Sequence, residues 1–74
     1  MKKIELKIKE LIAEKELSLS KLEIRMFDIS EQTTDALKTE NEAAYNENRA
    51  IYFEYKQDAR ILTQSIKELK NLLK

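Results

Sequence analysis

The sequence contains no cysteine, no histidine, no glycine and no proline. Without cysteine no disulfide can form, and without histidine the commonest metal ligand and general base is missing. Phosphate-binding loops and tight β-hairpin turns depend on glycine, so neither is expected. The abundant residues are Lys, Glu, Leu, Ile and Ala, which are mostly good helix formers. The composition predicts an all-α protein that is not an enzyme and holds no cofactor and no metal.

The chain has 74 residues, so we expect one helical domain at 1–74. A core of this size usually needs a staple, a metal or a partner subunit. No apolar run approaches the roughly 20 residues of a membrane span, and the charged start, MKKIELKIKELI, does not resemble a signal peptide. We therefore predict a cytoplasmic protein with no membrane partner. Met1 and the polar C-terminus suggest a complete small protein, and the Lys, Glu, Ile and Asn bias suggests a bacterial, phage or plasmid origin.

Apolar residues in the first segment recur at helical spacing on one face. This main stripe comprises Ile4, Ile8, Leu11, Ile12, Leu19, Leu22, Met26 and Ile29. A thinner second stripe on the same segment comprises Leu6, Ala13, Leu17, Ile24 and Phe27. Charged residues separate the two stripes, so the pattern predicts a helix at about residues 3–29 that can pack against two neighbours at once. A β-strand over residues 4–8 is the alternative, because those residues also alternate.

The last segment, at about residues 36–73, carries a heptad seam that indicates a second amphipathic helix. The predicted self-association seam comprises Tyr45, Asn48, Tyr52, Tyr55, Leu62, Ile66, Leu69 and Leu73. Ala59 falls on the same line. Asn48 is the polar member, which either fixes the register or marks an exposed end of the seam. We interpret the seam as serving the chain's own fold or a homo-oligomer, with a dimer favoured, although its aromatic residues also suit a foreign protein or nucleic-acid bases.

The apolar stripes of the two segments would point to nearly opposite sides of one continuous helix, so we predict a break within residues 27–41. Thr39 with Glu42 matches a capping box at the start of the second helix. The expected architecture is a helical hairpin, forming an antiparallel coiled coil or, on dimerisation, a four-helix bundle. One unbroken helix in a parallel coiled coil is the alternative, with a mostly polar seam across the middle of the chain.

Charge is unevenly distributed although the net charge is zero. Residues 26–48 hold six acidic groups and one basic group, whereas residues 1–25 carry +2 and residues 49–74 carry +3. A generic nucleic-acid binder would carry a basic stripe instead, so nucleic acid is the less favoured partner. The predicted surface for an unknown protein partner comprises Glu31, Asp35, Glu40, Glu42 and Glu47.

Residues 8–38 combine an opening helical segment, a Leu17-Ser18 step into a second one, and Ile29-Ser30 before a third. In this order they resemble the helix-turn-helix of phage-repressor-type regulators. The resemblance implies that the third helix enters the DNA major groove. The residues that it would turn towards the bases are Glu31, Gln32, Thr34 and Asp35. The turn glycine of that family is missing, and acidic residues facing phosphates weaken DNA binding.

Two classes of function follow from these patterns. The first is a non-catalytic helical protein-protein interaction module that self-associates and acts as a small adaptor, inhibitor or assembly factor. The alternative is a small nucleic-acid-binding regulator, either helix-turn-helix-like or an RNA-binding helical hairpin dimer. A coiled-coil spacer in a larger assembly is a third class.

Overall fold

The computed structural model describes residues 2–74, which form two long α-helices. Helix α1 spans Lys2–Lys38 and helix α2 spans Glu42–Leu72. Only residues 39–41 connect the two helices. This short connection reverses the chain, and the two helices pack antiparallel along their length. The prediction of an all-α helical hairpin is confirmed, and one unbroken helix is excluded.

The hairpin is a rod that measures 58 × 14 × 13 Å. Its radius of gyration is 16.9 Å. A compact domain of this length would have a radius of gyration of about 11 Å. The difference means that each helix has one covered face and a large area in contact with solvent.

Helix α1 packs on α2 through a line of residues spaced alternately three and four apart. Its buried and partly buried members are Ile8, Ile12, Lys15, Leu19, Leu22, Met26, Ile29, Thr33 and Ala36. Most of the predicted main stripe lies here; Leu11 is partly buried beside this line, whereas Ile4 is exposed. Lys70 contacts Glu16, which places Lys74 level with about residue 12, because antiparallel helices advance by equal steps. The first turns of α1 therefore project beyond α2.

The predicted seam forms the matching face of α2. Ile66 is buried, and Tyr45, Asn48, Tyr52, Tyr55, Leu62, Leu69 and Leu73 are partly buried. In a molecule of two helices, only α1 can cover these side chains. The seam therefore forms the face of α2 that packs on α1, which is the first of the two uses that its spacing predicts. The core is small, and none of the described side chains is completely buried.

Helix α1 continues to Lys38, beyond the end predicted near residue 29. Thr33 and Ala36 extend the three-and-four spacing past Ile29, so the packing on α2 continues. The β-branched Thr33 and Thr34 stay helical, and their hydroxyls donate hydrogen bonds to the carbonyls four residues back, at 2.6 and 3.0 Å. Sequence alone favoured a break here because threonine weakens helices. Helix α2 likewise begins later, at Glu42, than the predicted residue 36.

The end of α1 is a turn that closes without glycine. The backbone N–H of Asn41 donates to the carbonyl of Ala36 at 2.8 Å, and that of Glu40 donates to Leu37 at 3.2 Å. This pair of bonds is the Schellman arrangement, which requires a left-handed residue. Glu40 occupies that position with φ 55°. A side chain with a Cβ atom there costs about 1–2 kcal/mol relative to glycine.

The start of α2 follows directly, because Asn41 is also its N-cap residue. The side-chain oxygen of Asn41 accepts a hydrogen bond from the backbone N–H of Ala44 at 3.1 Å. The predicted capping box with Thr39 as its first residue is therefore wrong. The hydroxyl of Thr39 is used by α1 instead, and donates to the carbonyl of Asp35 at 3.0 Å. One residue thus serves the end of one helix and the start of the next, which explains the short turn.

In the part of the chain that the structure describes, neither helix is apolar enough over a sufficient length to cross a membrane.

Candidate interaction surfaces

The turn end of the rod carries the predicted partner surface, which we call the acidic tip. It consists of Glu31, Asp35, Glu40, Glu42 and Glu47. All five side chains are exposed, on the last turns of α1, on the turn, and on the first turns of α2. The hairpin thus brings residues from both sides of the turn to one end of the molecule. Lys38 is the one basic residue between positions 26 and 48.

An open depression of about 540 Å³ lies on the acidic tip. Its lining is Ala36, Leu37, Glu40, Asn41, Glu42 and Tyr45. Leu37 is exposed and Tyr45 is partly buried, so an apolar floor stands beside carboxylates. This combination can receive an apolar side chain that is flanked by basic residues.

A second surface runs along the back of α1, and we call it the outer stripe. It is the thin stripe of Leu6, Ala13, Leu17, Ile24 and Phe27, and every member is exposed. The four large side chains are each between 58% and 64% exposed. Leu17 and Ile24 each lie two residues from members of the line of α1 that packs on α2. Two residues correspond to a rotation of about 200° around the helix axis. The outer stripe therefore lies on the face of α1 opposite α2.

The back of α2 carries two large apolar side chains that sequence reasoning missed. Phe53 is 60% exposed and Ile61 is 67% exposed. They are eight residues apart, and Gln57 and Arg60 lie between them. The signal that could have found them is their position outside the heptad seam. Two side chains form a smaller apolar surface than the four large side chains of the outer stripe.

Polar residues also occur along the interface between the helices. Asn48 is partly buried, and no buried side-chain nitrogen or oxygen among residues 2–74 lacks a hydrogen-bond partner. Asn48 therefore keeps access to water near the turn end of the seam. An ion pair joins the helices near the other end, where Lys70 Nζ lies 3.4 Å from Glu16 Oε1. Both side chains are more than half exposed, so the pair contributes about 0–1 kcal/mol.

The segment that resembles a helix-turn-helix lies within a single helix. Residues 8–38 have no turn at Leu17-Ser18 or at Ile29-Ser30, because α1 is helical throughout. Glu31 and Asp35, two of the residues that the resemblance implies would face DNA bases, belong to the acidic tip. The separate helices that would place a reading helix in the groove are therefore not formed.

Among the described residues, no three Asp, Glu, His or Cys side chains are arranged so that they could hold a metal ion. The exposed surfaces described above are the acidic tip, the outer stripe and the two side chains on the back of α2; Ile4 and Leu72 are also exposed. Comparison with models of protein families, with curated protein sequences and with solved structures finds no match to this chain.

Proposed function

We propose that this chain is a non-catalytic protein-protein interaction module that self-associates through the outer stripe of α1 and acts in the cytoplasm as a small adaptor, inhibitor or assembly factor. The observation that carries the proposal is the outer stripe itself. Its four large apolar side chains lie on a helix whose opposite face is already covered by α2. Apolar residues that recur on one exposed face of a helix are typical of a face that packs on a second helix.

The size of the exposed area supports association. The accessible surface is 6164 Å². A compact monomer of this mass would expose about 4,800 Å². The difference between these two accessible surface areas is larger than the roughly 800 Å² that each partner buries in a standard protein-protein interface. A second copy would therefore give this two-helix core the additional burial that so small a domain lacks.

The acidic tip is the surface that we assign to a different protein. Its five carboxylates are exposed and stand beside the apolar depression at Leu37 and Tyr45. Opposite charge steers association and selects against wrong partners. We infer a partner segment that is basic and carries one apolar anchor.

Sedimentation velocity over a range of micromolar concentrations tests self-association directly. The wild-type chain should sediment as a dimer, and Leu17→Asp should sediment as a folded monomer, because it puts a charge in the outer stripe. Phe53→Asp is the matched control, since Phe53 is exposed to a similar extent on the other helix. It should leave the dimer intact. A well-folded wild-type monomer at all concentrations would contradict the self-association proposal.

The nucleic-acid alternative has one observation in its favour. Residues 2–9 and 67–74 together hold seven basic and two acidic groups at the end of the rod opposite the turn. An electrophoretic shift of duplex DNA or structured RNA that weakens steeply with salt would support the alternative. The interaction-module proposal predicts no shift at low salt.

A further inference from the structure

The hairpin is electrically polar along its long axis. Its basic end, residues 2–9 and 67–74, carries +5, because seven basic groups meet two acidic ones. Its turn end, residues 28–47, carries −5, because it contains six acidic residues and one basic residue, Lys38. These ends are separated by most of the 58 Å length of the rod. The electrostatic energy of two copies that lie side by side therefore depends on whether they run parallel or antiparallel.

A parallel pair would set the two −5 ends beside each other and the two +5 ends beside each other. An antiparallel pair removes both repulsions, because the two acidic ends then lie at opposite ends of the dimer. At 0.1 M salt, charges interact over about 10 Å, which spans neighbouring helices but not the length of the rod. We propose that a second copy of this chain docks on the outer stripe in the antiparallel direction, an inference that rests on the self-association proposed above.

The spacing of the outer stripe selects one register for this pair. In an antiparallel two-fold pair, residues at the same level have numbers with a constant sum. A sum of 30 sets Leu6 against Ile24 of the second copy and Ala13 against Leu17. Two-fold symmetry repeats both pairs, which gives four apolar layers. Shifting the register by one heptad in either direction replaces some of these layers with polar contacts at Glu10 or Ser20.

The flanks of the interface agree with the same register. Asp28 comes level with Lys2 of the second copy, so one acidic residue of the turn end lies beside the basic end, and the rest of the turn end extends beyond the second copy. Phe27 comes level with Lys3, whose aliphatic stem and ammonium group can both lie against an aromatic ring. The first turns of α1, which project beyond α2, are thus used by the partner copy.

The shape of this dimer differs from a square bundle. Because the outer stripe lies opposite α2, the order of helices across the dimer is α2, α1, α1, α2. The four helices form a flat row, with both copies of α1 in the centre. The two acidic tips point in opposite directions at the two ends of the row.

Disulfide trapping distinguishes the two directions, and the natural chain has no cysteine that could interfere. We would prepare Leu6→Cys and Ile24→Cys, and equilibrate each variant alone and both together in a glutathione redox buffer. In the antiparallel register, the mixture should give the mixed disulfide dimer as the main product. Neither variant alone should crosslink, because the two identical cysteines would be separated by about 27 Å along the helix axis. Self-crosslinking of each variant alone would overturn the proposal and indicate a parallel pair.

Pulsed electron paramagnetic resonance gives a second readout that leaves the outer stripe unchanged. A nitroxide on Glu5→Cys should give a distance of about 30 Å or more in the antiparallel dimer, since the two labels lie 20 residue levels apart. A parallel dimer should give less than about 20 Å. A short distance, or a sedimenting dimer that yields neither the mixed disulfide nor a distance near 30 Å, would overturn the antiparallel pairing while leaving self-association in place. A monomer in sedimentation would instead refute the proposed function.

Discussion

Replacing Ile24 with alanine should weaken the dimer by on the order of 100-fold without unfolding the hairpin. Ile24 is 63% exposed in the single chain, so most of its side chain is available to a second copy. Alanine lacks three of its carbons, and each buried CH₂ is worth about 0.8 kcal/mol. Scaled to the exposed fraction, the loss is about 1.5 kcal/mol in each copy and about 3 kcal/mol in each dimer. Each 1.4 kcal/mol changes the dissociation constant about tenfold.

Sedimentation equilibrium at several loading concentrations would measure the dissociation constants of the wild type and of Ile24→Ala. Ile61→Ala is the control, because it removes the same carbons from an equally exposed position on α2. Far-UV circular dichroism should show equal helix content in all three proteins, since alanine favours helix slightly more than isoleucine does. The reasoning would be refuted if Ile24→Ala dimerised as tightly as the wild type, or if Ile61→Ala weakened the dimer to the same extent.

Three further predictions concern the stability of the hairpin and can be checked by urea unfolding at one protein concentration. Glu40→Gly should stabilise the protein by about 1 kcal/mol by relieving the left-handed residue, whereas Glu40→Ala, which keeps the Cβ atom, should not. Asn41→Ala should cost about 1 kcal/mol because α2 loses its N-cap, and Asn46→Ala, within the exposed surface of α2, should cost much less. Ile66→Ala should cost about 2–5 kcal/mol, because this side chain is buried between the helices; an unchanged unfolding midpoint would mean that the core is assigned wrongly.

The sequence predicts most of the fold because its signals are periodic. The heptad spacing from Tyr45 to Leu73 and the main stripe from Ile8 to Ile29 identify the two faces that meet. The absence of glycine and proline also indicates long helices, since nothing within them interrupts the backbone. The thin stripe was predicted too, and the structure places it on the uncovered face of α1.

The turn was harder to place because its chemistry is unusual. A left-handed helix end normally shows glycine, and here Glu40 takes that conformation. Thr33 and Ala36 belong to the packed face although neither has a large apolar side chain, so the pattern of apolar residues stopped too early. Periodicity also could not show whether the seam packs on a helix of the same chain or of another chain. A heptad seam meets a second helix, and its spacing is the same whether that helix belongs to the same chain or to another one.

The antiparallel path of the two helices has a practical consequence for attaching this molecule to anything else. Lys2 and Lys74 both lie at the basic end of the rod, about 15 Å apart along its axis. A fluorescent domain, an affinity label or a sensor surface joined at either terminus would therefore stand at the far end from the acidic tip, across most of a 58 Å rod. An immobilised single chain would present its acidic tip outward to a soluble protein, whereas in the antiparallel dimer the acidic tip of the second copy would point back towards the surface.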